Sequence, residues 1–253
     1  MMTDLSGRAA IVTGGLTGMG LAIAQALAAA GACVAVGSRS GGGALPPGLD
    51  FAAVLDVAST ASVTGFVEAA LAAIGPVDIL VNAAGITAEQ PVCGHDDALW
   101  NQIIDINLTG AFRMSRAVLP GMLARGWGRV INIGSTAASV GAKDSPAYCA
   151  SKAGLLGLTR CIALEGAAQG VTCVMISPTW VNTEMTDRIL DEVVACEGLG
   201  RTAAEAKAEI MAQNPQGRII NAKEIADLAV FLCTDSARGI TMENIQVTGG
   251  ALW

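Results

Sequence analysis

The sequence predicts an α/β chain folded around one doubly wound parallel sheet with helices on both faces. Three observations carry that reading. Short apolar runs alternate with helix-forming segments along the whole length, glycines cluster directly after the first apolar run, and no Pro/Ser-rich linker or internal repeat divides the chain. Residues 1–253 are therefore read as a single domain.

The elements follow in order. Residues 8–13 (RAAIVT) form a strand ending in glycines, residues 21–30 are rich in helix formers, Gly31 stops them, and residues 33–36 resume as a strand. That is a βαβ unit. Residues 52–56 (AAVLD) are a strand, 62–74 a helix and 77–82 (VDILVN) a strand. A helix over 97–110 continues after a bend toward Arg125, and 129–133 (RVINI) is the next strand. The helix opened by SPAYCASK (145–152), a strand over 171–176, a helix over 223–232 and a strand over 244–247 complete the alternation. Two stretches break it. SGGGALPPG (40–48) has no helical signal where a crossover helix belongs, and 183–215 is an acidic, helix-rich insertion punctuated by Gly198 and Gly200.

Composition narrows the function. The chain is 52% hydrophobic, 15% charged and carries a net charge of −7 with no Lys/Arg run, which argues against nucleic acid and anionic membrane as partners. A small molecule fits better. The cysteines, Cys33, Cys93, Cys149, Cys161, Cys173, Cys196 and Cys233, are odd in number and scattered, and they read as buried thiols of a cytoplasmic protein. The single histidine, His95, rules out His-based zinc motifs and leaves no metal expected; it is read as a helix-start residue that at most edges a pocket. The N-terminus lacks the pattern of a secretory signal. Residues 11–38 carry no charge, yet their six glycines and many alanines suit strand, helix and strand better than a membrane span.

TGGLTGMG (13–20) lies where a doubly wound sheet binds a dinucleotide, and Gly14, Gly18 and Gly20, with Thr17 and Met19 between them, would let the backbone approach a pyrophosphate at a helix N-terminus. At the end of the second strand stand Ser38 and Arg39 with no acid, so NADP is favoured and NAD remains possible. The glycines at 41–43 could add backbone donors to that phosphate. Tyr148 is the only tyrosine and stands four residues before Lys152. With Ser145 as N-cap and Pro146 as first helical residue, the two share one helix face, and the ammonium is expected to lower the phenol's pKa toward neutrality.

These motifs together strongly resemble the short-chain dehydrogenase/reductase family over essentially the full length. TGGLTGMG is similar to its cofactor loop, Asp56 and Val57 to its adenine contact, and NAAG (Asn82, Ala83, Ala84, Gly85) to its NNAG element. Asn107 in DINLTGAF resembles its active-site asparagine, INIGS ends in Ser135 at the place of its catalytic serine, and Tyr148 and Lys152 match its YxxxK pair, thirteen residues beyond that serine. The resemblance implies a Rossmann-like fold and hydride transfer between a nicotinamide and a carbonyl. It also implies Tyr148 as acid/base, Ser135 holding the carbonyl oxygen, Lys152 on the nicotinamide ribose, Asn107 positioning a water, and Val181 and Thr183 at the nicotinamide. Ala83 and Thr179, in place of an asparagine and a glycine, depart from the pattern.

The resemblance further implies a homotetramer or homodimer. A lid is expected over 183–216, with Trp180, Met185, Ile189 and Leu190 as an apolar lining and more Asp and Glu than Arg and Lys. The expected substrate is a mainly apolar ketone or secondary alcohol. The alternative is a 3-oxoacyl thioester, and a different class altogether is a non-catalytic NADP sensor.

Overall fold

The computed structural model describes residues 4–41, 44–197 and 202–251. Its centre is a seven-stranded parallel sheet built from β1 (Ala9–Thr13), β2 (Cys33–Ser38), β3 (Phe51–Val54), β4 (Ile79–Asn82), β5 (Gly128–Ile133), β6 (Val171–Pro178) and β9 (Asn244–Val247). Their spatial order is β3-β2-β1-β4-β5-β6-β9, which reverses direction between β1 and β4. Such a reversal opens a crevice at the carboxyl ends of the strands. A separate two-stranded ribbon pairs β7 (Val181–Asn182) with β8 (Ile220–Asn221).

Both faces of the sheet are covered, which is why its strands read as continuous apolar runs. Along β1, Ala10 and Val12 face one side and Ile11 the other. The first side packs on α1 (Gly18–Ala29) and α8 (Ala222–Leu232) through Ile23, Leu27, Ile225 and Ala229. The second packs on α2 (Thr60–Ile74), α4 (Gly110–Arg125) and α5 (Pro146–Gly166) through Phe66, Met114, Met122 and Ile162. Among the described residues no helix is long and apolar enough to cross a membrane, and the uncharged stretch 11–38 is strand, helix and strand as expected.

The bend expected after 97–110 has a definite form. Helix α3 (Asp97–Ile104) runs into a π-helical turn over Asp105–Thr109 before α4 continues. No helix joins β2 to β3 among the described residues, in line with SGGGALPPG; Gly42 and Gly43 of its glycine run lie outside them. The insertion holds α6 (Glu184–Glu197) and α7 (Ala203–Gln213). Gly198, Gly200, Arg201 and the side chains of Cys196 and Glu197 lie outside the described residues.

Three expectations need correction. Helix α1 starts at Gly18 rather than Leu21, because the loop's own glycines turn directly into helical geometry. Ser145 does occupy the N-cap of α5, but its side chain makes no capping hydrogen bond. Of the described cysteines only Cys173 and Cys233 are buried, while Cys33, Cys93 and Cys161 are exposed and Cys149 is intermediate. Cysteine's small apolar side chain carries no pattern that separates a core position from a surface one.

Candidate active site

The carboxyl edge of the sheet presents a polar row. Thr13, Asn82 and Asn132 lie side by side across β1, β4 and β5, buried beneath the crevice. Thr13 Oγ1 accepts the backbone N–H groups of Ala83 and Ala84, both at 3.1 Å, which ties the NAAG segment to the glycine loop. Asn82 Nδ2 donates to Asn132 Oδ1 at 2.8 Å, and Asn132 Nδ2 donates to Thr159 Oγ1 at 2.8 Å. Asn82 Nδ2 also lies 3.4 Å from Ser115 Oγ on α4. One buried network thus joins both central strands to the helices that bear the candidate site. Thr13, Asn132 and Thr159 escaped the sequence reading, since polar residues in strand and helix give no sign of their partners 50 and 27 positions away.

The glycine loop is shaped as a cradle. Gly14 has φ +65° and a Cβ there would sit 3.0 Å from the backbone of Ala84, while a Cβ on Gly20 would overlap the Gly14 carbonyl oxygen. Gly18, at φ +53°, opens α1 opposite Thr183. The side chain of Thr17, the N-cap, makes no capping bond and the first turn holds no acid, so the free N–H groups and the helix dipole face the crevice. This is a fit for a pyrophosphate. Met19 lines the cavity shared with Ser135 and Tyr148.

Farther along the edge, Ser38 Oγ lies 3.3 Å from Ser40 Oγ. Arg39 is exposed and makes no hydrogen bond or ion pair among the described residues. A guanidinium in that position is available to a ribose phosphate. Asp56 accepts the Ala58 N–H at 3.0 Å, and its own N–H is held by Ser62 Oγ at 3.0 Å. Val57 packs against Gly110, where a Cβ would come within 2.7 Å of it. The residues present can hold a dinucleotide from pyrophosphate to adenine.

At the other end, Ser135, Tyr148 and Lys152 come together as expected. Ser135 follows β5 and Tyr148 lies in the first turn of α5. Lys152, 5% exposed, donates from Nζ to the Ile133 carbonyl at 2.8 Å and stands 5.7 Å from the centre of the Tyr148 ring. One of its three N–H donors is used there, leaving two for ligands. Loss of hydration pulls the ammonium down to about 8.

The expected lowering of Tyr148 is not what the structure shows. Although the residue as a whole is half-buried, loss of hydration around the phenol pushes its pKa up, opposed by hydrogen bonding with Ser135. The lysine faces the Ile133 carbonyl rather than the phenolic oxygen, so the protein alone leaves the phenol protonated.

Asn107 sits in the π-helical turn, 1% exposed. Its Oδ1 accepts the Ile86 N–H at 2.8 Å, and its Nδ2 donates to the Ile86 carbonyl at 2.8 Å and to Ser151 Oγ at 3.1 Å. Ser151 in turn donates to the Tyr148 carbonyl at 2.7 Å. Ser151, which sequence reasoning missed, therefore links the asparagine to the helix turn that carries the tyrosine. A Cβ on Gly85 would crowd Asn107 Oδ1 at 3.3 Å and Lys152 Nζ at 3.6 Å, so this glycine permits their approach.

These groups open on a cavity of about 450 Å³. Trp180, Met185 and Ile189 line it as expected, together with Pro178, Thr179, Val181 and Thr183. Leu190 does not; it is buried at 4% exposure and absent from the lining. His95 is absent too, its ring packed edge-on against Trp100 at 6.0 Å. The loop residues Thr136, Ala142 and Lys143, and Glu89 opposite them, are lining residues the sequence did not disclose.

A family profile described as enoyl-(acyl carrier protein) reductase matches residues 14–251. The 3-oxoacyl-[acyl-carrier-protein] reductase of Escherichia coli (strain K12) is 38% identical over 252 residues, covering 98% of each chain. The chain belongs to the short-chain dehydrogenase/reductase family. A reductase of the same description from Vibrio cholerae is 38% identical over 253 residues, again covering 98% of each chain. The crystal structure of a single-substitution variant of actinorhodin polyketide ketoreductase with NADPH superposes with a TM-score of 0.89 at 33% identity over 99% of each chain. The Rossmann-like fold is thus that of the family, and the chain is an oxidoreductase.

Proposed function

We propose that this short-chain dehydrogenase/reductase reduces a 3-oxoacyl thioester with NADPH. The observation that carries the reading is the placement of the Ser135 and Tyr148 hydroxyls together in one cavity, with Lys152 behind them. Two neighbouring hydroxyls suit one carbonyl oxygen, which they can hold and protonate. The names of the relatives favour the thioester over the mainly apolar ketone first expected. The apolar wall of Trp180, Met185 and Ile189 still supports simple ketones as a second reading.

Bound NADPH would supply the hydride to the carbonyl carbon and leave as NADP⁺. Ser135 holds the carbonyl oxygen, and Tyr148 gives its phenolic proton to that oxygen as the C=O π bond breaks. Because the phenol is held protonated, it is poised as an acid for reduction. Lys152, 5.7 Å from the ring centre, is near enough for its charge to offset the resulting phenolate, and its two remaining donors can hold a ribose hydroxyl and feed the proton back. Both amide N–H groups of Asn107 are committed, so any water it holds bonds to its carbonyl oxygens. Gly14, Thr17, Gly18 and Gly20 would hold the pyrophosphate, Ser38 and Arg39 the ribose phosphate, Asp56 and Val57 the adenine, and Asn82, Ala83, Gly85, Val181 and Thr183 the nicotinamide half.

The test is NADPH oxidation with acetoacetyl-CoA, followed by absorbance. Turnover by the parent that is lost in Tyr148→Phe supports the reading, and no turnover of any 3-oxo compound supports a non-catalytic NADP sensor. We further propose a homotetramer joined through α4 and α5, where Phe112 and Leu164 are exposed apolar residues. Light scattering reads its mass.

A further inference from the structure

We propose that Lys143 selects substrates bearing a negatively charged group at the end away from the reacting carbonyl, an inference that rests on the reductase reading above. Lys143 lies on the loop between β5 and α5, and it is the one cation among the described residues lining the cavity. Its side chain is 93% exposed, and its sole described polar partner is Asp144 at 4.0 Å, the outer limit of an ion pair.

The loop that carries it is held in place. Asp144 adopts φ +59°, a left-handed conformation uncommon outside glycine, and its carbonyl accepts the Gln90 N–H at 2.6 Å. Gln90 is itself braced, its side chain accepting the Asp96 N–H at 2.9 Å and donating to the Gly94 carbonyl at 3.3 Å. Near the start of α5, Cys149 Sγ accepts the Ala142 N–H at 3.3 Å. Thus the residues on either side of Lys143 are pinned to the opposite loop and to α5, while its ammonium stays uncommitted. Backbone strain retained at a cavity mouth is a pointer to a role there.

The acidic lid does not cancel this charge. Glu192, which also lines the cavity, lies 3.8 Å from Arg188, and Glu89 has an interaction of its own. Asp187 on the same helix is held by Lys207 at 2.8 Å. The cavity lining is therefore of mixed sign, with its one cation among the described residues on the loop side and its carboxylates elsewhere. A single anionic group directed toward that loop is accommodated where a polyanion against α6 is not. The group is either the carboxylate of a free 3-oxo acid or the phosphate of a pantetheine arm.

Two matched pairs separate these sources: acetoacetate against its methyl ester, and acetoacetyl-phosphopantetheine against acetoacetyl-pantetheine. For each pair the ratio of kcat/KM for the anionic over the neutral member is measured at low salt in the parent, Lys143→Met and Lys143→Glu. The expected result is a fall in one ratio of about five-fold in Lys143→Met, the scale of an exposed ion pair, and a larger fall in Lys143→Glu. Added salt should shrink the parent's ratio. The pair that responds identifies the anion. Ratios unchanged in both pairs, with the parent active, overturn the inference and leave the reductase reading intact. A parent inactive on all four compounds overturns the reductase reading, and the role of Lys143 falls with it.

Discussion

The two walls of the cavity are built on different physics. On the sheet side, Asn107, Ser151, Lys152 and the Asn82–Asn132–Thr159 network are buried and joined by hydrogen bonds of 2.8 to 3.1 Å. On the lid side, α6 and α7 bury Thr186, Leu190 and Ala206 but also rely on exposed polar contacts, of which Lys207 to Asn182 and Asp187, each at 2.8 Å, is the clearest. Buried networks fix geometry because each member left unpaired is strongly penalised. Exposed ion pairs are weak and screened by salt, so they suit a segment that must admit ligands. Chemistry is thus assigned to the wall that cannot move cheaply, and ligand entry to the wall with more exposed contacts.

Substitutions on the two sides should differ accordingly. Tyr148→Phe removes the proton donor while keeping the ring, and kcat for carbonyl reduction should fall by about 10³-fold, with NADPH binding by fluorescence titration retained. Equal loss of binding would shift the tyrosine's part to holding the cofactor. Asn132→Leu takes one buried hydrogen bond each from Asn82 and Thr159, leaving Asn82 only its long contact to Ser115 and Thr159 its bond to the Leu155 carbonyl, and should cost about 2–3 kcal/mol, read as a clear fall in Tm. Arg39→Ala should reduce the preference for NADPH over NADH about ten-fold, and an unchanged ratio would remove Arg39 from the phosphate site.

The pH dependence sharpens the same contrast. Lys152 titrates at about 8, well below an ordinary lysine. Below that pH it is charged and can return a proton to Tyr148; above it the charge is lost. Hence kcat/KM for reduction should be level below about pH 8 and fall at most about ten-fold per unit above it, a limb that substitutions on the lid leave in place. The smallest effect belongs to the lid: Lys207→Met should raise KM about two-fold at low salt and make no difference at high salt.

What was legible in the sequence follows the same division. Strands and helices announced themselves through apolar periodicity, and Tyr148 with Lys152 through spacing on a single helix, because those signals are local. Partners far along the chain leave no such trace: Asn132 and Thr159 look like ordinary strand and helix residues until β5 and α5 pack. The sign of the Tyr148 shift was missed because a helical spacing places Lys152 on the same face but says nothing of the burial that strips water from the phenol, nor of the Ile133 carbonyl that takes the ammonium. Leu190 was misplaced because an amphipathic helix shows which residues are apolar, and not whether they meet a cavity or a core. Lys143 stayed hidden because loop geometry, here a left-handed Asp144, decides where its side chain stands.

The π-helical turn at Asp105–Thr109 has a consequence for the length of the chain itself. A wide turn of this kind is equivalent to one surplus residue absorbed locally, whereas in an unbroken α-helix each residue gained or lost swings everything beyond it through about 100°. Removing one residue within 105–109 should therefore leave α3 and α4 presenting their present faces, Met114 and Met122 still toward the sheet, while Asn107 is withdrawn from Ile86. A shortening at any other point of this long helical stretch would turn its core face toward water.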